Sequence, residues 1–398
     1  MTISRRALLY SHDTFGLGHI RRSRTIASAL AAADPATAAL IVTGSPIAGR
    51  FDFPDRVDHV RLPGVVKQPD GSYATHNLGI PIEETVRLRS AILQASEAAF
   101  RPDLVIVDKE AWGFRNELAP TLATARARGA RIVLGLRDVL DAPEAVRSEW
   151  ERKGHLEAIE RFYDEIWIYG LPEICRPLEG LGLSPRWERD GRLIYTGYLR
   201  RAALGADRPS RAQREPYILV TSGGGGDGAR LYDWVLSAYE SDPGLAPRAV
   251  LVYGPFLAQQ HRAEFDRRAA ALGRRVSVLS FDSRLERWMK HAQGVVSMCG
   301  YNTFCEILSF DLPAVVAPRN APRAEQLIRA SAAERLGLLR MLYEPRDGSG
   351  PEVMAAAIRG LAGQPRPSRN ALPGMLGGLD IITARARAGR RVWSRAGE

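Results

Sequence analysis

Cysteine is scarce in this chain of 398 residues: Cys175, Cys299 and Cys305 are an odd number without C-x-x-C spacing. A disulfide framework or a zinc site needs more cysteines, more closely spaced, so the three read as small buried apolar side chains. Long apolar runs are missing as well. No stretch of eighteen apolar residues occurs, and after Arg5-Arg6 only Ala7 to Tyr10 is apolar before charged residues return. Neither a spanning helix nor a signal peptide fits, which predicts a cytoplasmic protein. There is no D-x-D triplet and no His, Cys and carboxylate cluster with metal spacing, so no metal ligand set is expected.

Negative charge is in deficit. The formal net charge is +10, carried mainly by arginine, whose planar fork suits phosphate. The balance predicts an anionic partner, either a nucleotide diphosphate or an anionic membrane surface, although a high-GC genome gives the same arginine richness. Nucleic acid is not expected, because helix-turn-helix, zinc-finger and aromatic RNA-binding signatures are missing and the arginines are spread along the chain.

What is present is ample for packing. Hydrophobic residues make up 45% of the chain, and its length exceeds one hydrophobic core, so two domains are expected. In residues 1–197, apolar runs at Ala7 to Ser11, Ala38 to Thr43, His59 to Leu62, Asp103 to Asp108, Ala130 to Leu136, Glu165 to Tyr169 and Leu193 to Gly197 read as strands. They alternate with helical patterns at Ile20 to Ala33, Ile82 to Phe100, Phe114 to Arg128 and Pro143 to Phe162. Such alternation predicts an α/β domain with a parallel, doubly wound sheet. Residues 198–215 are polar and arginine-rich and read as a linker. The alternation restarts over 216–370, with strands at Tyr217 to Thr221, Ala249 to Tyr253, Val276 to Phe281, Gly294 to Met298, Ala314 to Ala317 and Leu338 to Leu342. Residues 371–398 form a C-terminal segment in which Leu379 to Trp393 suits a basic helix.

Three stretches carry chemistry. In the first, Ser11-His12-Asp13-Thr14-Phe15-Gly16-Leu17-Gly18-His19 joins a strand end to a helix start, where Gly16 and Gly18 let backbone approach a ligand and helix amides favour an anion. His19 at a helix start is disfavoured as imidazolium by the dipole and suits a general base, against the plainer role of bracing the glycine turn. Asp13 either orients His19 or shares the base role, and Asp108 faces the same cleft from its strand end, each against the plainer role of a strand-end or capping carboxylate; His12 is a weaker candidate. In the second, Thr221 to Gly228 satisfies G-x-G-x-x-G at Gly223, Gly225 and Gly228, with Ser222 before the motif and Gly224 inside it. The next strand ends without the acid that a dinucleotide ribose requires and the Gly-Lys of a P-loop is missing, leaving a glycine loop whose free amides suit a diphosphate. Arg200 and Arg230 are candidate diphosphate partners. In the third, 297–326, Gly300 supplies a turn, Asn302 to Phe310 reads as a helix with Glu306 on its first turn, and Glu325-Gln326 opens another helix. Thr303 to Glu306 also fits a capping box, and Glu325-Gln326 a solvated helix start.

Gly300, the small polar Asn302 and Thr303, Glu306, Leu312-Pro313, Pro318 and Glu325-Gln326 together resemble the donor signature of GT-B glycosyltransferases, particularly MurG-type N-acetylglucosaminyltransferases. Gly-x-Gly-His-x-x-Arg at 16–22 resembles the acceptor-side loop of the same group and of related nucleotide-sugar hydrolases, and Gly-Tyr-Leu-Arg at 197–200 stands where the group has its interdomain Gly-x-Pro-x-Arg, without the proline. The resemblance implies two Rossmann-like domains facing a central cleft, with the C-terminal helix crossing back to the first domain. It implies that Glu306 binds ribose hydroxyls, that Glu325 and Gln326 hold the sugar, and that Phe281 lies where uracil is contacted. Arg319-Asn320-Ala321-Pro322 departs from the aromatic-rich loop of MurG. The expected activity is transfer of a hexose or N-acetylhexosamine from a UDP-sugar co-substrate to a glycan, lipid-linked or small-molecule hydroxyl, without cofactor. A nucleotide-sugar hydrolase or epimerase and a non-catalytic binding module are the rivals, and peripheral attachment to the inner membrane face accompanies a lipid-linked acceptor.

Overall fold

The computed structural model describes residues 2–388 apart from 13–16, 69–71, 203–209, 225, 280–281 and 283. Two compact units emerge, the first comprising Met1–Pro172, Arg176–Leu199 and Gly377–Glu398, the second Glu173–Cys175 and Arg200–Leu376.

In the first unit, β1 (Arg5–Ser11), β2 (Thr37–Thr43), β3 (Val57–Arg61), a small hairpin of β4 (Val65–Lys67) and β5 (Tyr73–Thr75), β6 (Leu104–Asp108), β7 (Arg131–Arg137), β8 (Glu165–Tyr169) and β9 (Leu193–Tyr195) follow in chain order. Apart from the hairpin they form one parallel sheet in the order 3-2-1-6-7-8-9. The second unit has β10 (Tyr217–Thr221), β11 (Arg248–Val252), β12 (Val276–Leu279), β13 (Gly294–Ser297), β14 (Ala314–Val316) and β15 (Arg340–Met341), parallel in the order 12-11-10-13-14-15. Every residue of β6, β8 and β10 is buried, as expected of strands covered on both faces. The strand order reverses at β1/β6 and at β10/β13, so each unit has a switch point at the carboxyl ends of those strands, where doubly wound sheets bind ligands.

Several elements differ from the sequence reading for local reasons. The helix expected over 143–162 is two, Pro143–Lys153 and His155–Phe162, broken where Gly154 adopts φ 62°. The helix expected from Phe114 is regular only over Ala119–Ala127, because Arg115 and Asn116 take φ 46° and 65°. The β4–β5 hairpin is too short to leave a periodic signal. The C-terminal helix spans Gly378–Arg387 and packs in the first unit on the helix Gly18–Ala33. Its ends are tied by the Gly378 N–H donating to the Tyr198 carbonyl at 3.2 Å and by Arg131 Nη1 donating to the Ala388 carbonyl at 3.1 Å. Among the described residues no helix is long and apolar enough to cross a membrane.

Candidate functional site

In the first unit the site is built on β1, β6 and the helix Gly18–Ala33. His19 and Arg22 are three apart on that helix and so share a face, which turns toward the carboxyl end of β6. There His19 Nδ1 lies 2.5 Å from Asp108 Oδ2, while Arg22 donates to the same carboxylate through Nε at 3.0 Å and Nη2 at 2.5 and 2.7 Å. Asp108 and Arg22 are buried, whereas the His19 side chain keeps 20% exposure. Burial alone would raise the Asp108 carboxyl, but the Arg22 charge and His19 outweigh it and hold the group well below the carboxylate range. Because Asp108 is an acceptor, Nδ1 carries the hydrogen of neutral His19, and Nε2 is the basic nitrogen. Arg22 Nη2, 3.0 Å from Nδ1, is then a second donor on a shared carboxylate.

His12 follows β1, its ring 5.9 Å from that of His19 at a near-perpendicular angle. The Tyr10 hydroxyl, 3.5 Å from His12 Nδ1, donates to Glu117 Oε1 at 2.7 Å and accepts from the Phe114 N–H at 3.0 Å. Glu117 also takes both arms of Arg89 at 2.6 Å. On the other side stands Glu110, which Lys109, Lys153 and His155 approach at 3.0, 2.8 and 3.3 Å. Burial pushes His12 well below its ordinary value, opposed by Glu110 and reinforced by Lys109, His19 and Lys153. The sign follows: the unfolded chain binds a proton at His12 below about pH 6.5 and the folded chain does not, so the stabilising effect is complete above that pH and lost as pH falls. Urea titrations of the wild type should show stability dropping by up to about 1.4 kcal/mol per pH unit below about 6.5 from this group. In His12→Gln that contribution should vanish.

In the second unit the carboxyl ends of β10, β13 and β14 carry the residues singled out from sequence. Gly223 takes φ 76°, and a Cβ there would lie 4.0 Å from Thr303 Oγ1, so the glycine loop lies against the helix Tyr301–Ser309. Gly254 backs the loop, since a Cβ at 254 would come within 2.2 Å of the Gly224 carbonyl. Ser222 Oγ lies 3.0 Å from the Tyr232 hydroxyl. The helix Ala229–Ser241 begins at Gly228 with no side-chain cap and no acidic residue in its first turn, directing its positive end to the loop.

Here the structure corrects three expectations. The left-handed turn after β13 is taken by Cys299 at φ 60°, not by Gly300, which is extended at φ −61° and occupies the cap position. The Cys299 carbonyl accepts from the fully buried Arg329 at 3.0 Å. No capping box forms at Thr303 and Glu306, because both lie inside the helix; Glu306 is on its second turn and fully buried. Asn302 Oδ1 accepts from Arg201 at 2.7 Å. Glu325 and Gln326 open the helix Glu325–Arg335 and are buried, not solvated. Arg230 is 71% exposed and pairs with Glu344, and Arg200 is exposed. Asp13, Gly16, Gly225 and Phe281 lie outside the described residues.

A cavity of about 490 Å³ in the first unit is lined by Arg5, Thr37, Asp103, Arg131 and Arg387, at the amino ends of the strands. It lies at the edge opposite His19, whereas doubly wound sheets bind ligands at the carboxyl edge. A cavity of about 310 Å³ in the second unit is lined by Asp227, Arg230, Trp234, Met298, Arg319 and Tyr343, beside the glycine loop. Among the described residues no three His, Cys, Asp or Glu side chains are grouped to hold a metal. Glu110, Arg201 and Arg319 escaped the sequence reading as site residues; Arg22 closed the Gly-x-Gly-His-x-x-Arg motif one helical turn from His19, but its hold on Asp108 left no signal there.

Residues 218–350 match the glycosyltransferase family 28 C-terminal domain. No curated protein matches the chain by sequence at a significant level. Among solved structures, Phytolacca americana UGT2 complexed with UDP-2fluoro-glucose and pterostilbene is similar at TM-score 0.60 and 15% identity, over 99% of this chain and 97% of the other. TcCGT1 in complex with UDP gives TM-score 0.61 at 14% identity, over 96% and 93% of the two chains. CalG4, the calicheamicin glycosyltransferase, gives 0.56 at 17%, over 96% of each chain. The chain therefore has the GT-B fold of these glycosyltransferases along its length, and residues 218–350 of its second unit match a family 28 C-terminal domain.

Proposed function

We propose that the protein transfers a hexose or N-acetylhexosamine from a UDP-sugar, held by the second unit, to a hydroxyl acceptor bound by the first, without a metal. The observation that carries the catalytic part is the contact of His19 Nδ1 with Asp108 at 2.5 Å, with Arg22 fixing the carboxylate. Nε2 of His19 takes the acceptor proton as the oxygen attacks the anomeric carbon and the bond to UDP breaks. Asp108 stays ionised and steadies the imidazolium that forms. The leaving diphosphate carries the developing negative charge, and the amides of the glycine loop with the positive end of the helix Ala229–Ser241 stabilise it. The acceptor class is a glycan, a lipid-linked saccharide or a small molecule, the lipid-linked case bringing the protein to the inner membrane face.

A panel of UDP-, GDP- and TDP-sugars, incubated with and without cell extract, tests the reading. UDP release that requires extract supports transfer. Release without extract assigns the same base to water and makes the protein a hydrolase, and binding without release makes it a binding module.

Glu306 is the residue proposed to read the ribose. With the capping role excluded by its position, Glu306→Ala should weaken UDP binding by about 2 to 3 kcal/mol, the worth of charge-assisted hydrogen bonds. Calorimetric titration with UDP checks it; unchanged affinity would remove Glu306 from the donor site.

A further inference from the structure

The loop between β14 and the helix Glu325–Arg335 carries Arg319, whose guanidinium reaches two ways within the second unit. Nη1 pairs with Asp227 in the glycine loop, and Nη2 donates to Glu325 Oε1 at 2.7 Å. The Arg319 backbone N–H donates to Gln326 Oε1 at 3.1 Å. One residue therefore touches the loop assigned to the diphosphate and both side chains assigned to the sugar. The Arg319–Glu325 arm is no ordinary surface pair, because the Glu325 side chain is 5% exposed and the Arg319 side chain 25%, while the Asp227 arm is open at 40%. Burial draws the Arg319 guanidinium down, but Glu325 and Asp227 together push it above its ordinary value. Asp227 and Arg319 also line the cavity of about 310 Å³ beside the loop. A planar fork with directed N–H groups spans two carboxylates at a set separation, which a lysine point charge does not reproduce.

We propose that Arg319 is a positioning residue for the donor: by bridging Asp227 and Glu325 it holds the glycine loop at a fixed spacing from the Glu325-Gln326 pair, so that one nucleotide sugar meets both at once. The proposal rests on the donor reading given above. It assigns Glu325 a held orientation, with Arg319 selecting sugars that fit the spacing and leaving the nucleotide unread.

Hydrogen-deuterium exchange on the full ligand-free chain tests the bridge itself. Arg319→Met and Asp227→Asn should each raise exchange at least about threefold in both 222–228 and 319–326, and the double variant should add nothing beyond either single change. Additive effects, or a glycine loop that ignores Arg319→Met, overturn the bridge. For the positioning role, Arg319→Met should keep UDP affinity within about threefold while raising KM for the UDP-sugar about tenfold or more, with only partial recovery in Arg319→Lys. Equal losses for UDP and UDP-sugar overturn that role. If the wild type binds no UDP, the donor reading falls, while the exchange data still decide whether the two segments are coupled.

Discussion

Replacing His19 by alanine is expected to leave UDP affinity within about threefold of wild type while turnover per folded molecule falls by about 10² to 10⁴, the usual contribution of a general base. The two quantities separate because His19 belongs to the first unit and the nucleotide signature to the second. His19 is partly exposed and contacts Asp108 through one nitrogen, so its removal opens little space in the core. A side chain that only braced the glycine turn would instead lower stability, with activity falling in proportion to the folded fraction. Binding and turnover therefore need measuring on one folded preparation. Turnover within about threefold of wild type would take the base role from His19 and leave Asp13 as the next candidate, since Asp108 is held too weakly basic by Arg22 and His19.

The second large effect is on folding. Glu117→Ala should cost about 3 to 5 kcal/mol, since it leaves the Arg89 guanidinium buried without its carboxylate. Arg89 and Glu117 are 1% and 0% exposed as side chains, and Tyr10 loses the acceptor of its hydroxyl in the same step. Removing both charges at once, as Arg89→Met with Glu117→Leu, should restore most of the stability, because the two ions no longer need to be dehydrated. Chemical denaturation of the single and double variants decides; a double variant as weak as Glu117→Ala would mean that the network acts through shape and not charge.

These two expectations differ in how far sequence leads to them. His19 was legible because a glycine-rich strand-to-helix turn fixes where its backbone goes, and Asp108 because an apolar run ending in an acid places that acid at a sheet edge. Their contact was not legible: 89 residues separate them, and only the sheet order that sets β1 beside β6 brings them together. Arg89 and Glu117 look like ordinary polar positions on helical stretches, and their burial follows from tertiary packing alone. In the second unit, Thr303 and Glu306 have the letters of a capping box, yet the helix starts at Tyr301, since the chain turns one residue early at Cys299. A cap depends on backbone angles that letters do not encode. Arg319 went unread for another reason: an arginine in a loop has no periodic pattern, and its value lies in two carboxylates from separate segments.

The packing of the helix Gly378–Arg387 on the helix Gly18–Ala33 has a consequence for how the chain is made. A ribosome completes the helix of His19 before Arg200–Leu376 emerges and its covering helix only afterwards. The second unit, nearly continuous in sequence, can condense while synthesis continues, but the first must wait with one helix face uncovered. Newly made chains should therefore depend on chaperones that shield apolar faces, and a premature stop before Gly378 should yield a folded second unit attached to a first unit that has never closed.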